Sequence, residues 1–229
     1  MNKRAVRVGL LDTPVTLEVV EKQRFFTDRT KTPQSQHGNA CAKIILRCCP
    51  HVRLFVAAVL SHEKRGSLAS ALEGFNWLLC EEADLVLASI GTSASMGSAG
   101  DASSGRGVIP VVIPEALNNG EHNTLADRLG TVIVSEDPKL DQDTFRVDHR
   151  ESESQPFLRA HVSPRQGFWH NGDMIYVESP SYAAAAMAGQ LAKLLGPHID
   201  LRPSTSQLFE ILKRNAAKPQ TVDGAKDTG

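Results

Sequence analysis

A chain of 229 residues with 41% hydrophobic residues and a formal charge of -1 is long enough to bury a substantial core as one globular domain. Its Lys and Arg residues are scattered, so no basic stripe marks a nucleic-acid surface, and no apolar run approaches the roughly 20 residues needed to cross a bilayer. Met1-Asn2-Lys3-Arg4 leads into a short apolar run without the core and cleavage site of a signal peptide, so the expected location is the cytoplasm, with neither membrane nor nucleic acid as a partner. Cys41, Cys48, Cys49 and Cys80 fit a reducing compartment: two are adjacent, none forms a paired zinc spacing, and all read as small buried hydrophobes.

Arg7-Val8-Gly9-Leu10-Leu11 reads as a buried parallel strand that delivers Asp12 at its carboxyl end, the end at which α/β domains put their chemistry. Residues 16–36 are polar and mixed, with a loop over 30–36. His37-Gly38-Asn39 then opens a segment, Ala40 to Cys49, that is helical by composition. Val52 to Leu60 is the clearest strand of the chain, and a helix follows over 67–82, with Leu68, Ala71, Leu72, Phe75, Leu78 and Leu79 at helical spacing. Trp77 is expected in that helix's core and Ser67 at its cap. Residues 84–91 form the next buried strand and end in Ser89-Ile90-Gly91; this alternation of strand and helix predicts a parallel sheet with right-handed crossovers.

Residues 93–107, rich in Gly, Ser and Ala, fit a small-residue helix or a loop, and a strand over 108–114 leads to Glu115 and Asn118-Asn119-Gly120. A further strand is expected at 131–134. Residues 136–155 hold seven acidic and three basic side chains and read as a solvated, mobile excursion. Strands at 157–162 and 174–177 flank a turn containing Gly167, Trp169 and His170, in which Trp169 fits a cleft wall and turn packing equally well. Ser179-Pro180-Ser181-Tyr182 marks a sharp strand-to-helix junction: Ala183 to Ala186 favour a helix, Met187, Leu191, Leu194 and Leu195 give it an apolar side, and Gly189 admits a close neighbour. A serine here is either an N-cap or a nucleophile held beside backbone N–H groups. A terminal amphipathic helix over 204–217 completes the domain, 1–217, and the polar tail 218–229 is expected to be disordered.

Asp12, His37, Asn118 and Ser181 thus stand at the ends of predicted strands or the starts of helices. They supply what acyl transfer requires: an orienting carboxylate, a general base, an oxyanion donor and a nucleophile. The chain order Asp, His, Ser is that of the subtilisin-like serine proteases, and the local sequences resemble that family. Val8-Gly9-Leu10-Leu11-Asp12-Thr13 is similar to its aspartate strand, and His37-Gly38 before a small-residue helix to its histidine motif. Ser89-Ile90-Gly91 is similar to the strand that lines the substrate cleft, and Asn118-Asn119-Gly120 matches Asn-x-Gly, with Asn119 as the adjacent alternative donor. Ser181, Ala183 and Ala188-Gly189 fall on the nucleophile motif. The chain departs from the family at Pro14, at Asn39-Ala40 and at Ser179-Pro180.

The resemblance, which spans Arg7 to about Leu195, implies an α/β three-layer sandwich with a mostly parallel central sheet flanked by helices. It implies a serine endopeptidase in which Ser181 attacks, His37 shuttles the proton, Asp12 orients His37, Asn118 holds the oxyanion, and Ser89, Ile90 and Gly91 bind a peptide or protein substrate by strand addition. The chain begins a few residues before its first strand, leaving no segment for an inhibitory prodomain. The expectation is therefore a restricted processing protease, for example one that removes the leader of a ribosomally made peptide. Two other readings stay open. One is a peptide-binding pseudoprotease, motivated by Pro14 and Pro180 beside the reactive positions; the other is a ligand-binding domain in which Asp12 and Ser181 are ordinary strand-end and cap residues. No glycine-rich phosphate loop, calcium loop or histidine pair at metal-ligand spacing is present, so no cofactor and no metal is expected.

Overall fold

The computed structural model describes residues 4–27, 36–61, 63–93, 109–126, 131–150, 157–197 and 203–217. The strands are β1 (Arg7–Asp12), β2 (Val20–Phe25), β3 (Arg53–Ala58), β4 (Leu85–Ala88), β5 (Val111–Pro114), β6 (Val132–Glu136), β7 (Phe145–Arg150), β8 (Phe157–Val162), β9 (Arg165–His170) and β10 (Asp173–Glu178). The helices are α1 (Gln36–Cys48), α2 (Leu68–Cys80), α3 (Pro180–Leu195) and α4 (Thr205–Asn215). Eight strands form one sheet in the order β2-β3-β1-β4-β5-β6-β8-β7, parallel throughout except where β7 runs antiparallel to β8. β9 and β10 form a separate antiparallel hairpin.

Burial on both faces explains why the central strands read as unbroken apolar runs. Successive side chains alternate between faces. Val8, Leu10, Leu54, Val56, Leu85 and Leu87 face one core with α1, α3 and α4, whereas Leu11, Phe55, Ala57, Val86 and Ala88 face another with α2. Gly9 lets α2 approach β1, since a Cβ there would lie 3.0 Å from Leu78 Cδ1. The buried run Ala183 to Gly189 packs α3 closely against α1, and Gly189 sits where a Cβ would stand 2.7 Å from Cys48 Cβ. The chain leaves β1 on one side for β2 and β3, then recrosses to β4, β5 and β6, so the strand order reverses at β1. The crevice at the carboxyl ends of β1 and β4 is therefore the topological switch point, where sheets of this kind bind ligands.

Three segments differ from expectation. Residues 16–36 contain an edge strand, β2, whose four consecutive polar residues Glu21 to Arg24 hide it from an apolar pattern but whose backbone pairs with β3. The acidic stretch 136–155 is not simply an excursion: Phe145 is buried and β7 pairs along its whole length with β8. The turn expected before residue 174 contains strand β9 and a two-residue reversal at Asn171 (φ 50) and Gly172 (φ 89), both left-handed as tight hairpins require. Cys41 is buried as expected, but Cys48 and Cys49 are half-buried and Cys80 is exposed. Trp77 is half-buried and packs against Phe26 rather than filling the centre of α2's core. Most of 93–107 and the tail 218–229 lie outside the described residues. Among the described residues no helix is long and apolar enough to cross a membrane.

Candidate active site

Asp12 is fully buried at the end of β1, where its backbone carbonyl accepts hydrogen bonds from Val59 N and Leu60 N at 2.9 and 3.2 Å. One carboxylate oxygen also accepts from Thr13 N. The next turn of chain locks α1 in place: Gly38 N donates to Thr13 Oγ1 at 2.9 Å, and a Cβ on Gly38 would lie 2.5 Å from the Thr13 carbonyl. Only glycine permits this approach, which puts His37, itself 5% exposed, directly over Asp12. His37 Nδ1 lies 2.8 and 3.0 Å from the two carboxylate oxygens. A proton on Nδ1 satisfies both, which leaves Nε2 as the basic nitrogen.

At the start of helix α3 the capping role falls to one of the two serines. Ser179, extended at φ -171 and ψ 159, is the N-cap, and its hydroxyl accepts from Tyr182 N at 3.3 Å. Pro180 occupies the first helical position, where it needs no N–H partner and where its preference for an extended predecessor is met. Its presence therefore does not disturb the junction. Ser181, half-buried, is left in the first turn without a capping duty. Its neighbour Tyr182 brings that turn to the dyad, with ring centroids of Tyr182 and His37 5.5 Å apart and tilted by 32°. Among the described residues no hydrogen bond joins the Ser181 hydroxyl to His37, a contact that is often long before substrate binds.

Asn118 is exposed in a turn beyond β5. Leu117 N donates to the Glu121 carbonyl and Gly120 N to the Leu117 carbonyl, with Gly120 at φ 82. Asn119 Oδ1 accepts from Glu121 N at 3.1 Å, so Asn119 is occupied in holding the turn. Ser89, just past β4, is buried; its Oγ lies 3.5 Å from Cys41 Sγ, and its backbone N donates to the Leu11 carbonyl. Ile90 is buried and Gly91 exposed.

Three neighbours of the site were not singled out by the sequence. Cys41 follows His37 by one helical turn, and its thiol joins Asp12 and His37 in a buried group whose donor atoms lie within 4.8 Å of one another. Desolvation, then the Asp12 charge, pushes that thiol well above its ordinary range. Asp12 and His37 already spend their facing atoms on each other, so the trio is a hydrogen-bonded core before it is a metal set. Tyr182 is the second, its hydroxyl pushed up to about 12 by burial and then by Cys41 and Asp12. The third is Asn123, fully buried, whose Nδ2 donates to the carbonyls of Ile90 and Pro114 at 3.2 and 2.9 Å and whose Oδ1 accepts from Thr92 N and Leu125 N at 3.2 Å. The i to i+4 spacing of His37 and Cys41 was the one available signal; nothing in the sequence distinguishes Asn123 from its neighbours.

No family model and no curated protein sequence matches the chain. Among solved structures it is similar to a cold-adapted subtilisin-like serine proteinase, with 19% identity over 96% of this chain and 85% of that one and a TM-score of 0.66. It is also similar to a mutant of the protease domain of PatA, with 15% identity over 91% of this chain and 86% of that one and a TM-score of 0.60. With its eight-stranded, mostly parallel sheet between helices and Asp12 at the end of the central strand β1, the chain has the subtilisin-like fold.

Proposed function

We propose that the protein is a serine endopeptidase with Asp12, His37 and Ser181 as its catalytic triad. The observation that carries the proposal is the buried Asp12–His37 hydrogen bond at the switch point of a subtilisin-like sheet, with the turn that holds Ser181 stacked against it through Tyr182. A peptide adds alongside Ser89-Ile90-Gly91 by strand pairing. Ser181 Oγ attacks the scissile carbonyl as His37 Nε2 takes its proton; Asn118 Nδ2 and the Ser181 N–H receive the oxyanion. The imidazolium, stabilised by Asp12, returns the proton to the leaving amine, and water then hydrolyses the acyl-serine with His37 again as base. Asn118 is favoured over Asn119 as donor because the Asn119 side chain is engaged in its own turn.

The finer reading is a restricted cytoplasmic processing protease, for example one that removes the leader of a ribosomally made peptide. Its support is the set of free cysteines, with no disulfide among the described residues. Hydrolysis of casein as readily as of any defined peptide would refute it. The chemistry itself is tested with a biotinylated fluorophosphonate, which labels only an activated serine. The expected outcome is labelling of the intact protein and of Ser179→Ala, and none of Ser181→Ala. Unlabelled intact protein would make this a peptide-binding protein of protease fold.

A further inference from the structure

The segments that follow β4 and β5 are drawn together by a side chain that takes no part in the proposed chemistry. Asn123 ties Ile90 and Thr92 of the first to Pro114, the last residue of β5, through both ends of its amide. Its own backbone N donates to the Glu115 carbonyl, and Thr124 N and Oγ1 both donate to the Thr92 carbonyl at 2.9 Å. The space between the segments is filled. At Gly91 the position of a Cβ is already taken by Leu117 Cδ2, and Asn123 Cγ and Nδ2 lie 2.7 Å from it. Leu117 is half-buried, and Asn123 has no exposed surface.

In the proposed reaction this space has a use, and the inference rests on that reading. A substrate strand paired along Ser89-Ile90-Gly91, with its scissile carbonyl turned to Asn118, has one residue spanning the gap between the two segments. That residue is the acyl residue, whose carbonyl Ser181 attacks, and its side chain descends between Gly91 and Leu117. We infer that Leu117 and Asn123 form a raised floor to the acyl-residue pocket and restrict cleavage to peptide bonds that follow small residues such as glycine, alanine or serine. Asn123 cannot swing aside without stranding four hydrogen-bonding groups, three of them buried. Leu117 has no such tie through its side chain, which makes it the residue that sets the size limit.

The test uses peptidyl diphenyl phosphonates that differ only at the acyl position, alanine against phenylalanine. In these the serine oxygen displaces phenoxide from phosphorus, His37 taking the serine proton, so labelling reports pocket fit and nucleophile together. The intact protein is expected to label with the alanine probe about 100-fold faster than with the phenylalanine probe, the scale on which a pocket rejects surplus apolar bulk. Leu117→Gly should narrow that ratio at least tenfold by gaining the phenylalanine reaction. Leu117→Ala should move it in the same direction and serves where the glycine variant melts early. Equal rates for the two probes in the intact protein, or an unchanged ratio in both folded variants, would overturn the inference while leaving the serine chemistry standing. Absence of labelling by these probes and by a small fluorophosphonate alike would overturn the proposed function and the inference with it.

Discussion

The His37 corner and the Asn118 turn flank β4 at the same edge of the sheet, yet they are held in opposite ways. His37 is fixed by a tight interlock: Gly38 N against the buried Thr13 hydroxyl, and the buried Asp12 carbonyl against Val59 N and the half-buried Leu60 N. Asn118 is carried on an exposed turn whose order comes from Gly120, Asn119 and the bridge between Ala116 and His122. A group that must keep one tautomer and one orientation through a proton transfer gains from immobility. A group that only donates to an oxygen tolerates a softer mount. The difference also separates the failures expected of each: changes in the corner should remove chemistry, and changes in the turn should weaken it.

The largest expected effect tests the corner. Asp12→Asn keeps the shape but lets the amide donate to Nδ1, reversing the tautomer, and kcat on a peptide ester should fall about 10⁴-fold. A loss under tenfold would show that His37 is not oriented by Asp12. Next comes the turn. Asn118→Ala should cost about 10²–10³ in kcat with little change in KM, because the oxyanion exists only in the transition state. Asn119→Ala should instead lower the unfolding temperature and leave kcat within a few-fold; the reverse pattern would exchange their roles. Smaller again is Gly38→Ala, whose new methyl meets the Thr13 carbonyl and must push α1 away from β1. A displacement near 1 Å at His37 predicts about 10² in kcat, with roughly 1–3 kcal/mol of stability lost to overpacking in urea titrations.

This contrast also marks what the sequence revealed. The strand ending in Asp12 and the Ser179-Pro180-Ser181 junction were legible because burial on both faces writes an apolar run, and because capping and proline chemistry are local. The meeting of Asp12 with His37 was legible only through resemblance, since the Gly38–Thr13 interlock joins residues far apart in the chain. β2 stayed hidden because an edge strand with four polar residues in a row carries no hydrophobic signature, and β7 because its acidic neighbours outweighed Phe145. Cys41, Tyr182 and Asn123 owe their importance to what surrounds them, which residue type and spacing do not encode.

The smallest effect sharpens the comparison through pH. Acids near the corner and along α1 are held neutral: burial raises Cys48 to about 11, Tyr182 to about 12, and Cys41 well above its ordinary value. Each contributes stability that is fully present below its unfolded value and lost as pH rises through the folded one. For Cys48, packed where α3 passes at Gly189, that window runs from 9.0 to about 11 and amounts to roughly 2–3 kcal/mol. The turn responds at the other end of the scale. Hydrogen bonds from Ser93 and Asn119 hold the Glu121 carboxyl below its usual range, a contribution present above 4.5 and lost as pH falls. Alkali should therefore loosen the corner while the turn holds. Urea midpoints of the intact protein and of Cys48→Ala, compared from pH 8 to 11, should show a decline that is shallower in the variant. Equal slopes would move the alkaline loss to Tyr182 and Cys41, placing the weak point at the dyad itself rather than at the packing of α1 on α3.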